Sequence, residues 1–206
     1  MDVGAYDTRG LYARAGWKES GLTRPAERFT RETWVERDIC DRAPFPFSDR
    51  QFDFVVCCHT LEDLRDPVWV CSEINRIGKA GYIEVPSRLE EQSWGVTGQF
   101  VGHHHHHWLI DADESGLEFL FKPHDIHSSP NLQFTTEFWN SLTDDERILR
   151  YWWEDSFAYR ERMLFFEGGE DYLAALVSRE LAERNMRTRR QTSLRRLAKR
   201  ALRRRE

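Results

Sequence analysis

WVERDICDRAPFPFSDRQFDFVVCCHTLEDLRDPVWVCSEINRIGKAGYIEVP, residues 34–86, decides the fold. Three short apolar segments, WVERDI, DFVVCC and GYIEV, punctuate it, and DPVWVCSEINRI between the last two has helical character. The apolar runs are continuous rather than alternating, which is what a strand covered on both faces requires. Each run ends at polar groups: Asp38 and Asp41, then His59, then Ser87 after Pro86. In open α/β sheets the carboxyl ends of the strands form the binding crevice. The stretch therefore predicts an α/β fold, with three buried strands and a covering helix as half of a nucleotide-binding sheet.

Working outward, Asp38, the run APFPFSDRQFDFVVCCHTLED (43–63) and the run EINRIGKAGYIEVPS (73–87) fall in a recognisable order. An acid, a PF turn, an FD strand start, a Leu-Glu pair and a helix closing on a Gly-containing turn together resemble the class I S-adenosylmethionine-dependent methyltransferases of the type 11 kind. The resemblance covers roughly the first half of the chain. It implies a Rossmann-like sheet with a terminal antiparallel strand pair, S-adenosylmethionine as cofactor, and methyl transfer to a small-molecule or glycan/lipid-linked substrate. It also implies that Asp38, with Ile39 beside it, accepts a hydrogen bond from the adenine amino group. The alternative for Asp38 is a loop or capping acid. Asp53 is expected to order the turn into its strand.

His59 lies just past a strand end, where the resemblance places residues facing the cofactor and the substrate nucleophile. Methyl transfer is an in-line displacement that needs alignment and often a base, and a neutral imidazole suits that task near pH 7. The competing reading has His59 capping the next turn or pairing with Glu62.

Two departures qualify the resemblance. The usual Glu-His after the fourth strand stands here as Glu62-Asp63, so no role passes to a histidine there. Such enzymes also open with a strand and a Gly-rich turn at a helix N-terminus, whereas this chain opens MDVGAYDTRG. Either residues 2–5 form that turn, or Asp2 ends the second strand and contacts the ribose hydroxyls, the first strand being lost to truncation. The second is favoured, because residues 6–33 hold no apolar strand run.

A chain of 206 residues with 8 Trp and 13 Phe can bury one substantial core. Its 4 Cys, two of them adjacent at Cys57 and Cys58, read as small core residues rather than a disulfide or zinc framework. With no secretory signal and no apolar run of about 18 residues, the expected location is cytoplasmic, with a peripheral place at the inner membrane surface.

That last expectation comes from the tail. Residues 183–206 hold eleven Arg or Lys against two Glu, about +9, within a chain whose net charge is −5. Leu194, Leu197, Ala198, Ala201 and Leu202 make a narrow stripe on a basic helix. Such a helix binds anionic headgroups at about 1 kcal/mol per basic residue. A tail folded onto the acidic body is the alternative, and nucleic acid is not an expected partner.

Between sheet and tail, WLIDADESGLEFLFKP (108–123) reads as two strands around a turn, filling the slot of the terminal pair. Residues 87–107 read as a loop insertion acting as an active-site lid. Residues 134–165 are helical in tone and aromatic, with a capping-box start at Thr143 and Glu146. The run His103–His107 reads as a polar loop with one or two histidines near a substrate pocket. Adjacent histidines cannot all face one ion, and fixed acidic partners are not evident, so no metal is expected. The domain plan is a methyltransferase-like part (1–125), an aromatic helical section (126–182) and a basic tail (183–206). A noncatalytic scaffold, or a peripheral membrane protein acting through its tail, are the other readings.

Overall fold

The computed structural model describes residues 30–164 and 169–202. They fall into two compact units divided after Phe47.

In the first unit, Arg31–Thr33 form a 3-10 turn, and WVERDI is not a strand: it contributes one bridge position, Glu36. The reason is local. The Asp38 carboxylate accepts from the Cys40 amide at 2.8 Å, an Asx turn that competes with extended pairing. The Arg37 guanidinium lies over the Phe45 ring at 5.9 Å.

The second unit runs β1 (Val55–Cys58), α1 (Pro67–Ile77), β2 (Ala80–Pro86), α2 (Arg88–Glu91), β3 (Trp94–Thr97), β4 (Phe100–Val101), β5 (Trp108–Asp113), β6 (Gly116–Phe121), α3 (Thr136–Asn140), α4 (Asp144–Arg147), β7 (Ile148–Glu154), β8 (Tyr159–Arg162) and α5 (Gly169–Leu202). It is mixed α/β with three small sheets, ordered β1-β2-β7, β3-β4 and β5-β6-β8.

The β1–α1–β2 unit forms as the sequence predicts. β1 and β2 are parallel, and α1 begins where Asp66 accepts from the Trp69 amide at 2.9 Å, with Pro67 at its first position. Val70, Cys71, Ile74 and Ile77 form its buried stripe. On β2, Gly81, Ile83 and Val85 face inward, and Trp153 of β7 packs where a Gly81 side chain would stand, 2.6 Å from an ideal Cβ.

The expectation that both faces of the sheet are covered is corrected. Burial alternates along β1, and the register sets Val56, Tyr82 and Trp152 side by side on a face where Val56 is 61% and Trp152 67% exposed.

Three further expectations change. The strand antiparallel to β2 is β7, not the 108–123 hairpin. That hairpin forms as β5 and β6, but pairs with β8 in its own sheet. The helical reading of 134–165 fails beyond two short helices, although the Thr143–Glu146 capping box is present. From Leu149 onward the burial alternates with period two, and the aromatic run Tyr151-Trp152-Trp153 suits a pleated surface better than a helix. Finally, 87–107 is no open lid. It holds α2 and the β3–β4 hairpin, and Glu90, Glu91, Gln92 and Ser93 are buried.

A second core joins Val101, Leu109, Leu120, Ile126 and Leu132 to Leu173 and Leu176 of α5. Each fully buried aliphatic side chain of this kind contributes about 1.5–3 kcal/mol. No described helix is long and apolar enough to cross a membrane.

Candidate functional site

At the carboxyl end of β1 the chain turns through His59, whose φ of 47° lies in the left-handed region. A non-glycine residue held there is uncommon and costs about 1–3 kcal/mol, a cost often found at functional sites. The turn is pinned because the His59 amide donates to the Glu84 carbonyl at 2.8 Å. The ring then sits between two carboxylates: Nδ1 is 3.6 Å from Glu62 Oε1 and Nε2 is 3.4 Å from Glu84 Oε1. Hydrogen bonding to Glu62 outweighs partial burial and, with Glu84, raises the imidazole pKa above its ordinary value. Both carboxylates favour the imidazolium over the neutral ring.

Glu62 is the most constrained member. Only 1% of it is exposed, and its Oε2 is buried with no hydrogen-bond partner, leaving an acceptor that a donor would satisfy. Glu84 is bonded by the Tyr82 hydroxyl and approached by Arg150 at 3.5 Å. The sequence offered Glu62 only as the partner of His59 in the competing reading, and the two do approach each other. Glu84 escaped notice because a single acid inside an apolar strand carries no motif.

Asp38 is exposed and Ile39 half-buried in the first unit, and Asp2 lies outside the described residues. Asp53 pairs with Lys79 at 2.7 Å, which holds its carboxyl below the usual range. Cys57 and Cys58 point to opposite sides of β1, and Cys57, Cys58 and Cys71 are free thiols.

An open groove of about 380 Å³ lies elsewhere, lined by Trp94, His127, Gln133, Phe134 and Thr136 among others. None of His59, Glu62 or Glu84 borders it.

Residues 18–83 match the family model described as a methyltransferase domain. That match supports a class I S-adenosylmethionine-dependent methyltransferase family. It covers about a third of the chain and ends inside β2, so it includes His59 and Glu62 and stops one residue short of Glu84. No curated protein and no solved structure matches the chain at a significant level.

Proposed function

We propose that the chain performs S-adenosylmethionine-dependent methyl transfer to a small-molecule or glycan/lipid-linked substrate, with its chemistry at the carboxyl ends of β1 and β2. The observation that supports this is the buried, unpartnered Oε2 of Glu62 beside a strained His59, within the segment that matches the methyltransferase domain. These residues fit the cofactor: an acceptor-rich, anionic rim suits ribose hydroxyls, an ammonium and a sulfonium charge. When bound, the cofactor supplies an electrophilic methyl group. Glu62 would accept a hydrogen bond from it, and His59 would orient the incoming nucleophile. Asp38 and Ile39, by the family resemblance alone, are assigned to the adenine.

Calorimetric titration with S-adenosylmethionine and S-adenosylhomocysteine tests the reading. Saturable binding that weakens about tenfold or more in Glu62→Gln supports it, a loss matching about 1.5–3 kcal/mol for a hydrogen bond to a charged group. Absence of binding by the folded chain overturns it.

A second reading is a noncatalytic methyltransferase-like scaffold. Two carboxylates favour the imidazolium of His59, a form that cannot take a proton, and the exposed Val56–Tyr82–Trp152 row suits contact with another surface. Cofactor binding without turnover would favour it. The basic tail as an anchor for anionic lipid remains a proposal on charge alone.

A further inference from the structure

We propose that Glu91, His103 and His106 form a binding site for a divalent transition-metal ion of the zinc type, with one carboxylate and two imidazoles as ligands. The inference is independent of the methyl-transfer reading. One ligand atom from each of the three residues lies within 4.8 Å of the others.

Glu91 closes α2 and is almost fully buried. Its Oε2 accepts from the Lys122 ammonium at 2.6 Å. Its Oε1 turns the other way, 2.7 Å from His106 Nδ1 and 4.0 Å from His103 Nε2. Two imidazoles thus converge on one carboxylate oxygen, and their ring centroids are 4.6 Å apart. Ligand atoms about 2.0–2.2 Å from a tetrahedral zinc ion stand about 3.3 Å from one another. The two separations from Glu91 Oε1, 2.7 Å to His106 and 4.0 Å to His103, bracket that value.

The surroundings orient the ligands as metal sites require. Behind a ligating imidazole there is usually a partner on the other ring nitrogen, which fixes the tautomer and ring plane. His103 Nδ1 lies 3.2 Å from Thr97 Oγ1, leaving Nε2 to face the carboxylate. His106 Nε2 lies 3.7 Å from Asp63 Oδ1, leaving Nδ1 free to face it. Lys122 also donates to the His103 carbonyl at 3.0 Å, so the cation that steers the carboxylate also ties down the first histidine. Gly102, at φ 63°, lets the chain pass so close that a Cβ there would lie 2.5 Å from Glu91 Oε2.

The site differs from chelation by a loose histidine run. His104 and His107 are exposed and belong to neither metal-competent cluster. His105 joins His106 and Asp63 in a second, more exposed cluster. Because His106 would serve both, one buried position is favoured, with Asp63 in support.

The test is titration of the full chain, freed of metal by a chelator, with zinc chloride by calorimetry and with cobalt(II) by visible absorption. One ion per chain is expected, together with a zinc-dependent rise in the thermal transition. His103→Ala and His106→Ala should each weaken binding at least tenfold, while His104→Ala and His107→Ala stay within twofold of wild type. Glu91→Gln alone leaves Lys122 buried and unpaired, so the paired variant Glu91→Gln/Lys122→Met, its fold checked by circular dichroism, tests the carboxylate and should also lose at least tenfold. No binding by wild type overturns the proposal. So does equal weakening by His104→Ala and His103→Ala, which would mark a nonspecific histidine run, or undiminished binding by the folded double variant.

Discussion

The Glu91 carboxylate and the Lys122 ammonium meet at 2.6 Å with side chains 1% and 4% exposed. A pair so enclosed is exposed to the loss of either member, because the remaining charge stays buried without its partner. Lys122→Ala is expected to destabilise the fold by about 3–5 kcal/mol, whereas Glu91→Gln/Lys122→Met should cost clearly less. Urea unfolding of the three proteins checks the order. Equal losses in the single and double variants would show that packing, rather than charge, is what the site supplies.

His59 gives a pH dependence of known sign. Glu62 and Glu84 raise its pKa in the folded state, so its contribution is fully present below the ordinary histidine value of about 6.5. It is lost as pH rises through the raised value. Half of the ring is exposed, and solvent screening holds the effect below about 1 kcal/mol. The stability difference between wild type and His59→Gln should be largest near pH 6 and shrink toward pH 9. A difference that grows with pH would contradict the placement of the ring between two carboxylates.

In the β5-β6-β8 sheet, Glu118 of β6 is bonded by Arg162 at 2.8 Å and Arg160 at 2.7 Å, both from β8. Arg162 first, then Arg160, holds its carboxyl below the usual range. The stabilisation is present above the unfolded value and is lost as pH falls through the folded one. Glu118→Gln should lower the unfolding midpoint at pH 7 by an amount that shrinks as the pH falls below the ordinary glutamate range. Thermal scans across that range decide it.

Gly81→Ala should destabilise the β1-β2-β7 sheet by about 1–3 kcal/mol, the usual cost of overpacking, because the new Cβ would lie 2.4 Å from the Val55 carbonyl oxygen and 2.6 Å from the Trp153 ring. The double variant Gly81→Ala/Trp153→Phe, which removes part of that ring, should recover some of the loss. No recovery would place the strain in the backbone instead.

The thiols should react in a fixed order. Burial pushes the Cys57 thiol up to about 12 and Cys71 well above its ordinary value, so both should resist alkylation until the fold opens. Cys58 is exposed, and after partial burial it is Glu84 that raises its pKa. Glu84→Gln should therefore speed alkylation of Cys58, measured by mass spectrometry after timed iodoacetamide exposure. An unchanged rate would remove Glu84 from its surroundings.

The sequence was most informative where one local signal sufficed. The run DPVWVCSEINRI located α1, and the apolar runs on either side located β1 and β2. It misled where neighbours decide the outcome. Tyr151-Trp152-Trp153 becomes a strand because β2 offers a pairing edge and Gly81 offers room. Glu90 and Glu91 fell inside the stretch read as a lid, and their partners, Arg147 and Lys122, lie 57 and 31 residues away. Of the site, His59 was visible from its place after a strand end, with Glu62 only as its alternative partner, while the convergence of Glu91 with His103 and His106 depends on a hairpin that only tertiary packing closes.

α5 extends over 34 residues, about 51 Å at 1.5 Å per residue. Its early turns supply Leu173, Leu176 and Val177 to the core, and Arg184 still reaches Glu146 at 2.6 Å; beyond it Met186 is 62% exposed. The helix backbone continues through Leu202, so that along the described residues the reach of the chain matters as well as its charge. Inserting one residue near position 187 would rotate everything beyond it by about 100° while leaving the composition untouched. A proline there would break the helix and leave the same cations on a tether.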